Sequence, residues 1–168
     1  HEFWLRQQAV LSDRQLDESA EEIAAALNPT GGSAWARLHD QLISRETISV
    51  DVPGRGEQEH GIAGLSNLQL DADAAVRRAA WQASMELLER NAVPFAAALN
   101  SIKGQVGELA ARRGWQDALD ESLFDNHIDY RALEAMQRAC AEAFPLMRRY
   151  LKAKAARLGK ETLSWSDL

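Results

Sequence analysis

The polar segment Asp120–Asp129 holds the side chains best suited to bind a ligand. It reads DESLFDNHID and lies between two long helical patterns. Asp129 is the predicted N-cap of the following helix, because its side-chain oxygen can accept from the free N–H groups of the next turn. Asn126 and His127 are therefore expected just outside a helix N-terminus, where a loop can present them to a ligand. The alternative is that both side chains only cap and fix a turn.

Two short motifs share part of their spacing with metal sites. A metallopeptidase helix carries H-E-x-x-H, because histidines four residues apart share one helical face and can hold zinc. The chain begins with His1 and Glu2, but Leu5 occupies the position of the second histidine. The segment Glu57–His60 has the E-x-x-H spacing of di-iron bundles, where the motif must occur twice on facing helices. Here it occurs once, beside glycines, so we expect a solvated hairpin and no metal ligand.

No set of residues for nucleophilic catalysis stands out either. Cys140 lies on the apolar side of a predicted helix, with no partner base marked in the sequence, which predicts a buried and unreactive thiol. His39 and Asp40 are typical of a helix surface, and Lys103 lacks the glycine-rich loop of a phosphate site. Basic residues between positions 148 and 160 fit the exposed face and end of a helix better than a site for an acidic partner. We therefore expect no catalytic residue in this segment.

Start signals and spacing predict the elements of the first half. Ser12–Gln15 has the pattern of a capping box and predicts a helix that begins there and ends near Leu27. Ser33 is the predicted N-cap of the next helix. Thr47–Val52 alternates β-branched and polar residues before a Pro-Gly-Arg-Gly turn, which predicts one short β-hairpin over about residues 46–62.

The second half is almost entirely helical in pattern. Asp71 or Asp73 is expected to cap a helix that keeps Arg77 in water. Its predicted inner positions are Val76, Ala80, Ala83 and Leu87.

The next helix is expected to begin around Pro94. Gly104 and Gly107 in its interior predict the close approach of another backbone. Its predicted buried stripe comprises Phe95, Leu99, Ile102, Val106 and Leu109.

The last helix is expected to run from Tyr130 towards Leu158, kinked at Pro145. Its predicted apolar side comprises Leu133, Met136, Cys140, Met147, Leu151 and Leu158.

Composition limits the functional class. The chain has 168 residues, 46% of them hydrophobic, and a net charge of −6. This fits one globular domain and argues against nucleic-acid binding, which needs a basic surface. No apolar run approaches the roughly 20 residues of a membrane span. The single cysteine suits a reducing cytoplasm.

Five tryptophans are many for a chain of this length. Each carries roughly 150–250 Å² of surface that is best buried. We infer a missing partner surface, either the rest of a longer polypeptide or a second copy of this chain.

A family resemblance rests on several segments taken in order. They are Val76–Trp81, Pro94–Gly104, Arg113–Trp115, Leu119–Leu123, Asn126–Asp129, Leu133–Met136, Phe144–Pro145, Arg149–Lys154 and Leu163–Leu168. Together they resemble the oligoendopeptidase F group of the thimet-oligopeptidase-like zinc metallopeptidases. The resemblance covers roughly Ala34–Leu168, whereas the first 30 residues match only in general helical character.

The resemblance implies a mainly α-helical, two-lobed peptidase with a deep channel, a cytoplasmic location and zinc-dependent cleavage of short peptides. In this group the zinc-binding H-E-x-x-H helix lies C-terminal to the region present here, so no catalytic or metal residue carries over. Zinc is expected in the complete enzyme and not on this segment. The implied role of this segment is wall and scaffold of the substrate channel, with Asn126 and His127 contacting the peptide backbone.

We therefore expect residues 1–168 to be a single helical domain, a multi-helix array with one hairpin, and the truncated N-terminal lobe of a longer enzyme. The apolar ending at Leu168 reads as a cut, and the segment alone is expected to be inactive. Its expected partners are peptide substrates and either the remaining C-terminal catalytic part or a second copy, with no nucleic acid and no membrane. The alternative is a stand-alone helical protein-interaction module without catalysis, which would also explain the tryptophans.

Overall fold

The computed structural model describes all 168 residues and is mainly α-helical with one antiparallel hairpin, as predicted. None of the helices is long and apolar enough to cross a membrane. In chain order the elements are α1 (Glu2–Asp13), α2 (Glu18–Leu27), α3 (Gly32–Arg45), β1 (Thr47–Val52), β2 (Gly56–Gly61), α4 (Ile62–Leu68), α5 (Ala74–Arg90), α6 (Ala92–Arg112), α7 (Ala118–Asp125), α8 (Tyr130–Arg157) and a 3-10 turn (Trp165–Asp167).

The chain forms two compact units. The first comprises residues 1–39 and 94–133, and the second comprises residues 40–93 and 134–168.

The core of the second unit is built on the hairpin. Residues of β1 alternate between exposed and buried, and the strand pairs in register with β2 from Thr47 opposite Gly61 to Val52 opposite Gly56. Pairing explains why β2 forms a strand although its sequence has little β preference. The apolar side of β1 packs with α4 and α5 in a cluster of Ile48, Val50, Val52, Leu65, Val76, Ala83 and Leu87.

Helix α5 begins where it was predicted to begin, but Arg77 on this helix is less exposed than predicted. The Asp73 side chain accepts from the backbone N–H of Ala75 at 2.8 Å. Arg77 was expected in water, but it is half-buried and donates to the carbonyl oxygens of Asp71 and Ser166. A guanidinium can satisfy several carbonyl groups at once, so its charge does not keep it in solvent.

The predicted capping box at Ser12 is wrong. Ser12 lies in the last turn of α1, and α2 begins six residues later, with the Asp17 carboxylate accepting from the N–H of Ala20 at 2.9 Å. Asp17 is followed by Glu18 and Glu21, which supply the acidic first turn that favours a helix start. The predicted end of this helix near Leu27 is confirmed.

The predicted N-cap of α3 is also displaced. Ser33 lies inside the helix, which begins at Gly32. The N–H of Gly32 donates to the side-chain oxygen of Gln105 at 2.6 Å, so a residue from α6 satisfies this helix end. A cap supplied from 73 residues away leaves no local pattern in the sequence.

Helix α6 differs from its predicted packing. Leu99 is 56% exposed, and the residues of this helix that are buried are Ala98 and Ala110. A methyl group built on Gly104 or Gly107 would meet nothing within 4 Å, so neither glycine allows a close backbone approach in this chain.

Helix α8 is one continuous helix through Pro145, as predicted, and the kink expected there stays a prediction. Cys140 is exposed, so the predicted burial of its thiol is wrong for this chain. The apolar spacing around it is real, but no residue of this chain covers that side of the helix.

Candidate functional site

The segment Asp120–Asp129 forms more regular structure than its sequence suggested. Its first part belongs to helix α7, which begins after Asp117, whose carboxylate accepts from the N–H of Asp120 at 2.9 Å. The missed signal was Asp117 itself, since an aspartate ahead of an acidic first turn is a common helix start.

Asn126 and His127 close helix α7. The N–H of His127 donates to the Phe124 carbonyl at 3.0 Å, and the N–H of Ile128 donates to the Leu123 carbonyl at 2.9 Å. This pair of bonds is a Schellman motif, which requires a left-handed residue at the position of His127. His127 has φ +56° there, and it is the one non-glycine residue of the chain with positive φ.

The Asn126 side chain is engaged by its own helix. Its amide nitrogen donates to the carbonyl of Ser122 at 2.8 Å. Asp129 has its predicted role at the start of α8, since its carboxylate accepts from the N–H of Ala132 at 2.7 Å.

The His127 ring faces a groove rather than its own helix. It meets Phe3 edge to face, with ring centroids 5.1 Å apart and planes at 86°. The groove has a volume of about 410 Å³. It is lined by Phe3, Gln7, Leu123, Phe124, His127, Ile128, Asp129 and Ala132. Such a surface offers aromatic contact together with one imidazole, whereas Asn126 does not line it.

Acidic side chains lie near the start of α8. Partial desolvation, followed by the negative charges of Asp117 and Asp120, raises the pKa of the Tyr130 hydroxyl, although the residue is 41% exposed. The tyrosine is therefore a neutral hydrogen-bonding group at physiological pH.

A second cavity, of about 250 Å³, surrounds a network of charges. Arg113 makes two hydrogen bonds with the Glu21 carboxylate, and its Nη1 lies 3.9 Å from Glu121. The guanidinium of Arg14 lies 3.9 Å from the ring centroid of Trp115 and donates to the Gly114 carbonyl. These groups satisfy one another, so the cavity is a structural junction of the first unit.

The two side chains of the E-x-x-H motif in the hairpin do not lie close together. Glu57 and His60 are three residues apart on strand β2, and side chains at odd spacing project to opposite faces of a strand. Glu57 accepts from the Ser49 hydroxyl at 2.9 Å, and the His60 ring lies 3.0 Å from the Gln58 side-chain oxygen. No group of three or more His, Cys, Asp or Glu residues in the structure is placed to hold a metal ion.

Comparison with known proteins supports the family seen in the sequence. Residues 1–46 match the family model of the N-terminal region of M3 peptidases, described as oligopeptidase F. The match includes the first 30 residues, so the prediction that they share only general helical character with the family is wrong. A search of curated proteins gave no match.

The fold matches a crystal structure from Bacillus anthracis strain Ames, of a protein assigned as an oligoendopeptidase F. The TM-score is 0.70 and the sequences are 17% identical. The alignment covers 98% of this chain but 30% of the Bacillus chain, so this chain has the fold of one part of a larger structure. The family model and the shared fold together confirm that this chain resembles the oligoendopeptidase F group of peptidases.

Proposed function

We propose that this chain is the N-terminal lobe of a zinc-dependent oligoendopeptidase that hydrolyses short peptides. Residues 1–168 would act together as wall and scaffold of the substrate channel. The observation that supports this proposal most directly is the oligopeptidase F match of residues 1–46 in a chain whose fold follows an assigned oligoendopeptidase F over 98% of its length.

The residues present here do not fit a zinc site. Zinc in peptidases needs three protein ligands from His, Glu or Asp, with one open position for water. No such group is assembled in this chain. We therefore assign no chemical step to it, and in the proposed enzyme the metal would be held by residues outside these 168.

The groove beside His127 is the proposed substrate-contacting surface of this lobe. Phe3 and Phe124 supply aromatic surface for an apolar side chain of a peptide. A ring nitrogen of His127 can form a hydrogen bond with the backbone of that peptide. Asn126 does not line the groove, so its proposed contact with the peptide backbone lies outside the groove and uses the side-chain oxygen, because the amide nitrogen is engaged with Ser122.

We also propose a cytoplasmic location and no partner other than peptides and the remaining part of the enzyme. The single cysteine is unpaired, and the net charge of −6 disfavours nucleic acid. A stand-alone interaction module remains the alternative function, because many large apolar side chains are exposed.

The test compares this chain with the polypeptide encoded by its complete reading frame. Zinc content is measured by mass spectrometry, and hydrolysis by a quenched fluorescent peptide. We expect stoichiometric zinc and hydrolysis from the complete polypeptide, and neither from the 168-residue chain. Robust hydrolysis by the chain alone, or a reading frame that closes directly after Leu168, would contradict the proposal.

The contribution of the groove is tested in the complete polypeptide. His127→Ala is expected to raise KM several-fold with little change in kcat, because it removes binding and no catalytic group. The matched control is Asp125→Ala, which changes an exposed neighbour that does not line the groove. An unchanged KM in His127→Ala would show that the groove does not contact the substrate.

A further inference from the structure

Helix α8 carries an apolar side that nothing in this chain covers between Met136 and Met147. Met136, Phe144 and Met147 are 57%, 52% and 53% exposed, and Cys140 between them is exposed as well. At 3.6 residues per turn these four positions lie on one side of the helix. We refer to the four residues as the α8 stripe.

Most charges near this stretch lie on the other side of the helix. Helical geometry turns five of them away from the α8 stripe, whereas Arg148, four residues after Phe144, lies at its edge. The five are Glu134, Arg138, Glu142, Arg149 and Lys152. A helix with its charges segregated in this way is typical of one that buries its apolar side against another element.

The C-terminal continuation of this side is covered in part. Ala155 is buried and Leu151 is half-buried, and both line a cavity of about 370 Å³ together with Leu163 and Trp165 from the end of the chain. Leu158, further along the same side, is 45% exposed. The end of the chain thus supplies apolar contacts near Ala155, whereas nothing in this chain covers the α8 stripe.

On the basis of the proposed function, we propose that the α8 stripe is the surface on which the remaining polypeptide of the larger helical fold packs. This chain accounts for 30% of the Bacillus chain whose fold it shares, so most of that fold lies outside the matched region. The fitting partner is an apolar helix or loop face of that remainder. The centre of this contact needs no acidic groups from the partner, because Arg138, Arg149 and Lys152 lie on the other side of the helix.

Cys140 provides a direct probe, since it is the single cysteine of this chain. Its rate of modification by iodoacetamide is measured by peptide mass spectrometry in the 168-residue chain and in the complete polypeptide. We expect modification in the complete polypeptide to be slower by on the order of tenfold or more, because a packed thiol reacts only through local opening. The matched control is the double variant Cys140→Ser with Arg138→Cys, whose thiol lies on the charged side and should react equally fast in both proteins.

Equal rates for Cys140 in the two proteins would overturn the proposal. Protection that develops in the 168-residue chain as its concentration rises would also overturn it, because a second copy would then cover the stripe. Zinc content and hydrolysis are measured on the same samples. A complete polypeptide that hydrolyses peptides while Cys140 reacts freely refutes only the packing surface, whereas one that protects Cys140 without hydrolysis refutes only the proposed function.

Discussion

Arg113 binds both carboxylate oxygens of Glu21, a residue 92 positions earlier in the chain. Nη2 donates to Oε2 at 2.8 Å and Nε donates to Oε1 at 3.1 Å. The same carboxylate accepts from the N–H of Leu16 at 3.2 Å, ahead of helix α2. A two-bonded pair of this kind fixes direction as well as distance, so it ties the start of α2 to the end of α6.

Glu21→Gln is expected to lower the thermal midpoint of unfolding by a few degrees at pH 7. It removes the charge that both guanidinium nitrogens contact and leaves Arg113 with a weaker partner. The measurement is thermal unfolding followed by circular dichroism. The control is Glu22→Gln, which changes an exposed glutamate beside it. An equal effect of the two substitutions would show that the pair contributes nothing.

Stability at acid pH should depend on the same pair. The hydrogen bonds from Arg113, then the bond from Leu16, lower the pKa of Glu21 below its ordinary value of 4.5. The stabilisation is therefore fully present above that value and is lost as the pH falls through the lower pKa of the folded state. We expect the difference between the wild-type protein and Glu21→Gln to be largest near pH 7 and to shrink below pH 4.5. A difference that stays constant down to pH 2 would contradict this.

The sequence predicted those helices and strands that are specified by residues close together in the chain. The Asp73 cap, the inner positions of α5 and the alternation of β1 all follow from neighbouring residues, and the structure confirms them. The prediction of where α3 starts was wrong because the N–H of Gly32 is satisfied by Gln105 from another helix. The burial expected for Leu99 failed because apolar spacing shows which side of a helix can pack, but not whether this chain supplies the partner.

The candidate site was predictable in part. Asp129 was identified as a helix cap from its type and position, and it has that role. The left-handed conformation of His127 was not foreseen, because that position is usually occupied by glycine or asparagine. The contact between His127 and Phe3 joins residues 124 positions apart, so no spacing rule could have indicated it.

Leu65→Ala is expected to destabilise the second unit by about 2–5 kcal/mol, because it leaves a cavity in a closed apolar cluster. Leu65 is 0% exposed and packs with β1 and α5. Leu70→Ala is the matched control, since Leu70 is 84% exposed just beyond the same helix. Urea unfolding of both variants gives the comparison. A cost for Leu65→Ala as small as that for Leu70→Ala would show that the cluster is not the core.

Asp167→Asn is expected to loosen the 3-10 turn that places Trp165 against Trp81. The Asp167 carboxylate is bound by the Lys160 ammonium and accepts from the N–H of Ser164 at 2.9 Å. The two indole rings stack with centroids 6.4 Å apart. We expect a weaker near-ultraviolet circular dichroism signal from tryptophan and a lower thermal midpoint.

The control for this change is Glu161→Gln, an exposed acidic residue of the same segment. Lys160, followed by Ser164, lowers the pKa of Asp167 far below its ordinary value of 3.8. The stabilisation from Asp167 should therefore be fully present above pH 3.8 and be lost progressively as the pH falls below 3.8 towards the lower pKa of the folded state. If Asp167→Asn left the tryptophan dichroism signal unchanged, the stacking of Trp165 on Trp81 would not depend on the Asp167 carboxylate.

His127→Gly should be more stable than His127→Ala by about 1 kcal/mol, because alanine keeps the strain of a left-handed residue and glycine does not. Both variants lose the ring contact with Phe3, so their difference isolates the backbone. The control is Ala139→Gly at an exposed position inside α8, where glycine should instead cost about 1 kcal/mol. Urea unfolding of the three variants and the wild-type protein measures the free energy of unfolding of each, and so shows whether glycine stabilises at position 127 and destabilises at position 139. If His127→Gly were the less stable of the two, the left-handed conformation at the end of α7 would be wrong, and with it the direction in which the imidazole faces the groove.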